Sequence, residues 1–223
     1  LFIAMVIVSQ FMLTFGSDPN AKITKKSKSP LSFHPIALIF GLLSFVSYLV
    51  EGAVGDWSAL YLFEDKGIVI EEAVMGVMLF NGTMCIGRLL GNRLGKHLTS
   101  KQVVVGGYLL GSIAMGLIVF LPGHASMYTY LLLGISLAMI VPNLFSAMGE
   151  QNVIPMTQAV ATSTMLGYMG ILMGPALIGF IAHGTSLTVA FIVLTTLLVV
   201  SAGIGKYAYH LMSKDCGLSE EQI

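Results

Sequence analysis

Four stretches of this chain carry no charged side chain: residues 103–121, 127–149, 156–182 and 187–205. A helix needs about 20 residues to cross the roughly 30 Å hydrocarbon core of a bilayer. In hydrocarbon only helices and closed barrels satisfy every backbone N–H and C=O. A barrel would show segments of about ten residues that alternate apolar and polar, and these runs do not alternate. The chain is therefore expected to be an all-α membrane protein. Composition agrees, since 56% of the 223 residues are hydrophobic and 10% are charged, against about 25% charged in a soluble domain. Eleven Lys and Arg balance eleven Asp and Glu, which leaves no basic field and excludes a nucleic-acid partner. Cys85 and Cys216 stand far apart, and His34, His97, His124, His183 and His210 are scattered. Neither set has metal-ligand spacing, so no metal or other cofactor is expected. No Gly-x-Ser-x-Gly or His-Glu-x-x-His occurs, and no catalytic residue is expected.

Six spans are expected, over residues 35–62, 73–90, 103–121, 127–149, 156–182 and 187–209. Residues 1–15 are apolar, too short for a span and without a leading positive charge. They read as the end of a preceding transmembrane helix. Residues 16–34 form a polar linker with Lys22, Lys25, Lys26 and Lys28, and residues 211–223 form a tail. Positive charge sets orientation. With the linker in the cytoplasm, ten of the eleven positive charges lie inside and only Lys66 lies outside. The C-terminus is then cytoplasmic, and the six spans occupy the 35–210 block.

Polar groups at membrane depth must face a partner or a cavity. In the first span Ser44, Ser47, Tyr48, Glu51, Gly55 and Ser58 share one helical face. Glu51 reads either as a cavity-facing carboxylate linked to solute or proton, or as a helix-pairing group near the outer surface. Trp57 reads as an interfacial belt residue. In the second span Asn81, Cys85, Arg88 and Asn92 form one stripe, and Asn81 is either a solute ligand or a hydrogen bond between helices. In the fourth, Pro142 breaks the ladder beside Asn143, which makes Asn143 a candidate neutral ligand, with a tolerated kink as the plainer reading. In the fifth, Gly170-x-x-x-Gly174 reads as a packing face, and Tyr168 is available to line a pathway. Spans three and six lack charge and read as outer, lipid-facing helices. The pattern repeats with a period of three helices, the mark of a three-plus-three repeat.

Residues Gly87-Arg88-Leu89-Leu90-Gly91-Asn92-Arg93-Leu94-Gly95-Lys96 resemble the cytoplasmic loop motif of the major facilitator superfamily, in the copy between helices 8 and 9. Gly170-x-x-x-Gly174-Pro175 resembles its Gly-Pro motif. Glu51 to Leu62, with Gly167-Tyr168-Met169-Gly170, resembles one bacterial branch that includes a rhizopine-transporter-like protein. The resemblance implies a C-terminal six-helix bundle, helices 7–12, arranged as a three-plus-three inverted repeat after the end of helix 6. It implies the bacterial inner membrane and a missing N-terminal six-helix half as partner. Asn92 stands where the motif often has Asp, which shifts the anionic role toward Glu150. The expected cytoplasmic gate cluster is Arg88, Arg93 and Glu150, with Asn92 beside it.

The function these features imply is secondary active transport of a small solute by alternating access. The expected solute is neutral and polar, such as a sugar or cyclitol, with protons as coupling partner through Glu51. Drug or metabolite efflux by proton antiport stands as the alternative, as does a non-transporting receptor or scaffold.

Overall fold

A computed structural model describes residues 34–94, 98–151 and 153–216, with the side chains of residues 92–94, 215 and 216 outside the description. The expected helix end over residues 1–15 and nearly all of the linker lie outside these residues. Seven helices follow: α1 Pro35–Glu64, α2 Ile70–Leu94, α3 Ser100–Phe120, α4 Gly123–Ala138, α5 Ile140–Glu150, α6 Met156–Gly184 and α7 Leu187–Cys216. They make six membrane-length spans, because α4 and α5 form one broken span over Gly123–Glu150.

Local chemistry sets the ends. Pro35 opens α1 at a position where its missing N–H costs nothing, and His34 Nδ1 accepts from the Ile36 N–H at 3.4 Å. Thr99 and Gln102 form a reciprocal capping box at the start of α3. The fourth span breaks at Met139, one turn before Pro142, since Pro142 has no N–H for the Ala138 carbonyl and its ring crowds it. The loop after α1 is tied down by Lys66, whose ammonium donates to the Val119 carbonyl at 2.6 Å and lies over the Tyr61 ring. Burial pushes this ammonium below the usual lysine range, and Asp65 pulls the other way.

The first span packs on the fifth (α1 on α6), the second on the fourth (α2 on α4) and the third on the sixth (α3 on α7). Exchanging each span with the one three places along leaves this pattern unchanged, which is the three-plus-three repeat expressed as packing. Burial follows it. Spans one and four are the most buried at 61% and 56%, spans three and six intermediate at 44% and 39%, and spans two and five least at 28% and 22%. Within this half spans three and six, uncharged through their cores, cover one another, whereas spans two and five carry the most open surface.

Backbones meet where side chains are absent. A Cβ on Gly170 would collide with the Phe45 carbonyl oxygen, and one on Gly174 with the Leu49 carbonyl oxygen. A Cβ on Gly52 would sit 2.8 Å from the Ile171 oxygen. The interface of α2 with α4 uses the same device, with Gly134 against Phe80 and Gly87 against Ala138. Without a hydrophobic drive between helices in lipid, such close van der Waals contact holds the bundle together. Trp57 is part of it: its indole donates to the Pro175 carbonyl at 3.0 Å and lies beside Gly179. This packing role comes in addition to its place near the end of the span, beside Glu64, Asp65 and His183.

Gly174→Val should destabilise the protein by about 1–3 kcal/mol through overpacking. Gly82→Ala, where a Cβ meets nothing within 4 Å, should be neutral or slightly stabilising. Thermal melts of the two variants in detergent check this.

Candidate functional site

The polar face of α1 meets α2, α5 and α6. Glu51 lies near the middle of α1, about 24 Å along the helix from Pro35. Arg88 reaches it from α2, with Nη2 3.3 Å from Oε2 and 3.4 Å from Oε1. The pair uses one guanidinium nitrogen and leaves the rest of that planar donor fork outside it. Side-chain exposure is 46% for Arg88 and 23% for Glu51, so the pair borders open space rather than packed core. A cavity of about 270 Å³ lies there, lined by Tyr48, Arg88, Val141, Pro142 and Phe145. Tyr48 stacks nearly parallel on Tyr168 of α6, with ring centroids 6.1 Å apart. Gly167 permits this, because a Cβ there would press on the Tyr48 ring at 2.7 Å. One aromatic wall, one compensated charge pair and one helix break thus converge on a single cavity.

The structure brings together residues that the sequence had separated. Arg88 was expected at the cytoplasmic end of the second span, where its polar stripe meets the loop motif, in a cluster with Arg93 and Glu150. Instead α2 runs on to Leu94, so Arg88 stands in the helix and pairs with Glu51. Nothing at Gly87 or Gly91 stops the helix, since both glycines are spent on contact with Ala138 and Met139. Glu150 ends α5 and is exposed. The side chains of Asn92 and Arg93, the other expected gate members, lie outside the described residues.

Two expected ligands serve their own helices. Asn143 Nδ2 donates to the Met139 carbonyl at 2.8 Å, and the Asn143 N–H donates to the same oxygen at 3.2 Å. It therefore doubles the hydrogen bond to the residue at the break and is turned back on its own helix. Asn81 Nδ2 donates to the Val77 carbonyl at 2.9 Å on an exposed face. Tyr168 is exposed beside the cavity. Gly170, Gly174 and Pro175 lie on the α1 side of α6.

Sequence reasoning missed Phe145 and Val141 as cavity walls, since apolar residues give no signal by type. It also missed Tyr108, buried in the uncharged third span. Its hydroxyl donates to the Leu43 carbonyl at 2.7 Å and lies 2.9 Å from Ser47 Oγ. Its position opposite the serine face of α1 was the available clue.

No family model matches the chain. It is 41% identical over 168 residues to an uncharacterised MFS-type transporter of Yersinia pestis, a match covering 74% of this chain and 43% of that protein. It is 30% identical over 170 residues to the membrane protein MosC of Rhizobium meliloti, covering 75% and 42%. The chain thus spans under half the length of the curated relatives it matches. Among solved structures, the Escherichia coli fucose:proton symporter superposes with a TM-score of 0.76 over 92% of this chain and 53% of that one, at 15% identity. That likeness is one of fold.

Removing one partner of a fully buried pair costs about 3–5 kcal/mol. This pair is partly open, so Glu51→Gln or Arg88→Gln alone should cost about 1–2 kcal/mol. The double variant should cost less than the sum of the two. A double-mutant cycle on detergent melting temperatures measures the coupling.

Proposed function

We propose, for a chain that belongs to the major facilitator superfamily and carries the C-terminal six-helix half of its fold, a role in secondary active transport. The complete protein moves a small solute across the bacterial inner membrane by alternating access. This half lines one side of the path, with its C-terminus in the cytoplasm and the N-terminal six helices opposite.

The observation that carries this reading is the Glu51–Arg88 pair beside an aromatic-walled cavity. Charges at membrane depth are costly and persist where they serve a path. Here they neutralise one another. What remains for a solute is hydroxyl, guanidinium and flat aromatic surface, which suits a neutral polyol such as a sugar or cyclitol. A ring hydroxyl accepts from the free side of the Arg88 fork, and the C–H face of the ring lies on the Tyr48 or Tyr168 ring. The fucose:proton symporter shares the fold and supports this substrate class by analogy.

Proton coupling follows from the same pair. A solute that draws Arg88 away leaves the Glu51 carboxylate without compensation, and a proton neutralises it. Solute and proton then bind together, which is symport. Cytoplasmic closure is assigned to Asn92, Arg93 and Glu150, with Arg88 withdrawn to the centre.

The full-length protein in proteoliposomes, with a pH dye and a panel of monosaccharides and cyclitols, tests this. One of these solutes should drive proton movement, and Glu51→Gln should abolish solute accumulation while leaving exchange intact. A Glu51→Gln protein that still concentrates the solute removes Glu51 from coupling. Absence of flux for every solute, with specific binding retained, favours the receptor reading. Glu150→Gln should alter maleimide labelling at the cytoplasmic end by about fivefold or more, the effect of a coupling near 1 kcal/mol. Unchanged labelling removes Glu150 from the gate.

A further inference from the structure

Buried hydroxyls in this bundle are satisfied in two ways. Some return their proton to their own helix, as Ser44 does to the Phe40 carbonyl at 3.1 Å and Thr129 to the Ala125 carbonyl at 2.9 Å. Others reach a second helix, as Tyr108 does to Leu43 and Ser47. Ser58 of α1 and Tyr130 of α4 do neither. Both are fully buried, and neither hydroxyl makes a hydrogen bond to the described residues. They nonetheless lie close together, just short of hydrogen-bonding geometry. The Tyr130 ring is placed at a junction of helices, since a Cβ on Gly76 of α2 would sit 3.6 Å from Tyr130 Cδ2 and beside Leu62 of α1. Tyr61, one turn along α1 from Ser58, adds a further buried hydroxyl without a hydrogen bond, near enough to interact with Tyr130. Its ring is fixed by stacking on Phe191 with centroids 4.2 Å apart, and the nearby Thr188 hydroxyl donates to Asp65 at 2.9 Å. An unpaired buried hydroxyl carries its full desolvation penalty, and native interiors hold few of them.

We infer that the junction of Ser58 and Tyr130 is a binding site for an ordered water molecule that bridges spans one and four. A buried water needs two to four polar partners, and it both donates and accepts. Each hydroxyl here offers one proton and free lone pairs, so Ser58 and Tyr130 bind the same water and Tyr61 stands by as a third partner. A divalent cation would need six or more oxygens, and among the described residues no group of three His, Cys, Asp or Glu side chains is placed to hold a metal. The site joins the two most buried spans of the six. It also sets up a contrast along α1. That helix is fastened directly at Ser47, through Tyr108. About 16 Å further along, at Ser58, it is fastened through an exchangeable molecule.

The test is radiolytic hydroxyl-radical labelling of the full-length protein, read by mass spectrometry. A bound water generates the radical in place and marks a side chain that bulk water does not reach. Tyr130 should be oxidised, and Tyr108, equally buried but directly bonded, should not. After rapid mixing with heavy-oxygen water, the exposed Tyr128 should carry the isotope at once and Tyr130 only after a lag. Ser58→Ala should lower labelling at Tyr130 by about fivefold, the weight of one net hydrogen bond, and leave Tyr128 unchanged. Labelling of Tyr130 no stronger than that of Tyr108 in the unsubstituted protein overturns the inference, whether or not the variant folds. Isotope uptake at Tyr130 as fast as at Tyr128 also overturns it, because the water would then be bulk solvent. So does undiminished labelling of Tyr130 in Ser58→Ala, which takes Ser58 out of the site.

Discussion

Backbone contact between α1 and α6 is the constraint on which the rest of the structure depends. Gly167, Gly170 and Gly174 remove the side chains that would keep the helices apart, and Gly52 does the same from the other side. The helices approach until carbonyl oxygens of one touch the Cα positions of the other. This fixes their rotation about their own axes. Tyr48 is then brought over Gly167 and onto Tyr168, and Glu51, one turn further along α1, is turned toward α2. A bulkier α6 would hold α1 away and break the aromatic wall before it disturbed the ion pair.

The second interface built this way, α2 on α4, gives the other half of the site. Gly134 and Gly87 bring α2 close to the broken fourth span, and Arg88 lies beside Gly87. The break at Met139 opens the fourth span next to Arg88, and Asn143 holds the Met139 carbonyl with both its side-chain amide and its backbone N–H. Two repeats of three spans thus contribute equivalent packing devices and unequal chemistry. The first gives a carboxylate, an arginine and an aromatic ring, the second an aromatic ring and a helix break.

Much of this was legible in the sequence, for physical reasons. Uncharged runs of membrane length leave the backbone little choice but helix, so six spans could be counted. Polar residues at helical spacing singled out faces of spans one, two, four and five, the faces along which a path is proposed. The glycine run on α6 marked a close contact. What failed was anything that depended on which surfaces meet. Arg88 looked like a cytoplasmic gate residue because charge next to glycine resembles a helix end, yet both nearby glycines are used in packing and the helix runs on to Leu94. Trp57 gave no sign of its hydrogen bond to the Pro175 carbonyl, because that partner lies on another helix. Tyr108 gave no sign of its hydrogen bonds because its partners lie on another helix. Burial of spans two and five could not be read from charge, since exposure is set by neighbours.

A water-filled path along the face shared by α1, α2, α5 and α6 is the central claim. The most direct measurement is single-cysteine accessibility in the full-length protein, with Cys85 and Cys216 replaced. A membrane-impermeant maleimide should label cysteines placed at Tyr48, Asn143 and Tyr168. It should leave cysteines at Ile113 and Val199, on the apolar surface of α3 and α7, unlabelled. Equal labelling at both sets, or labelling confined to the second, would contradict the path.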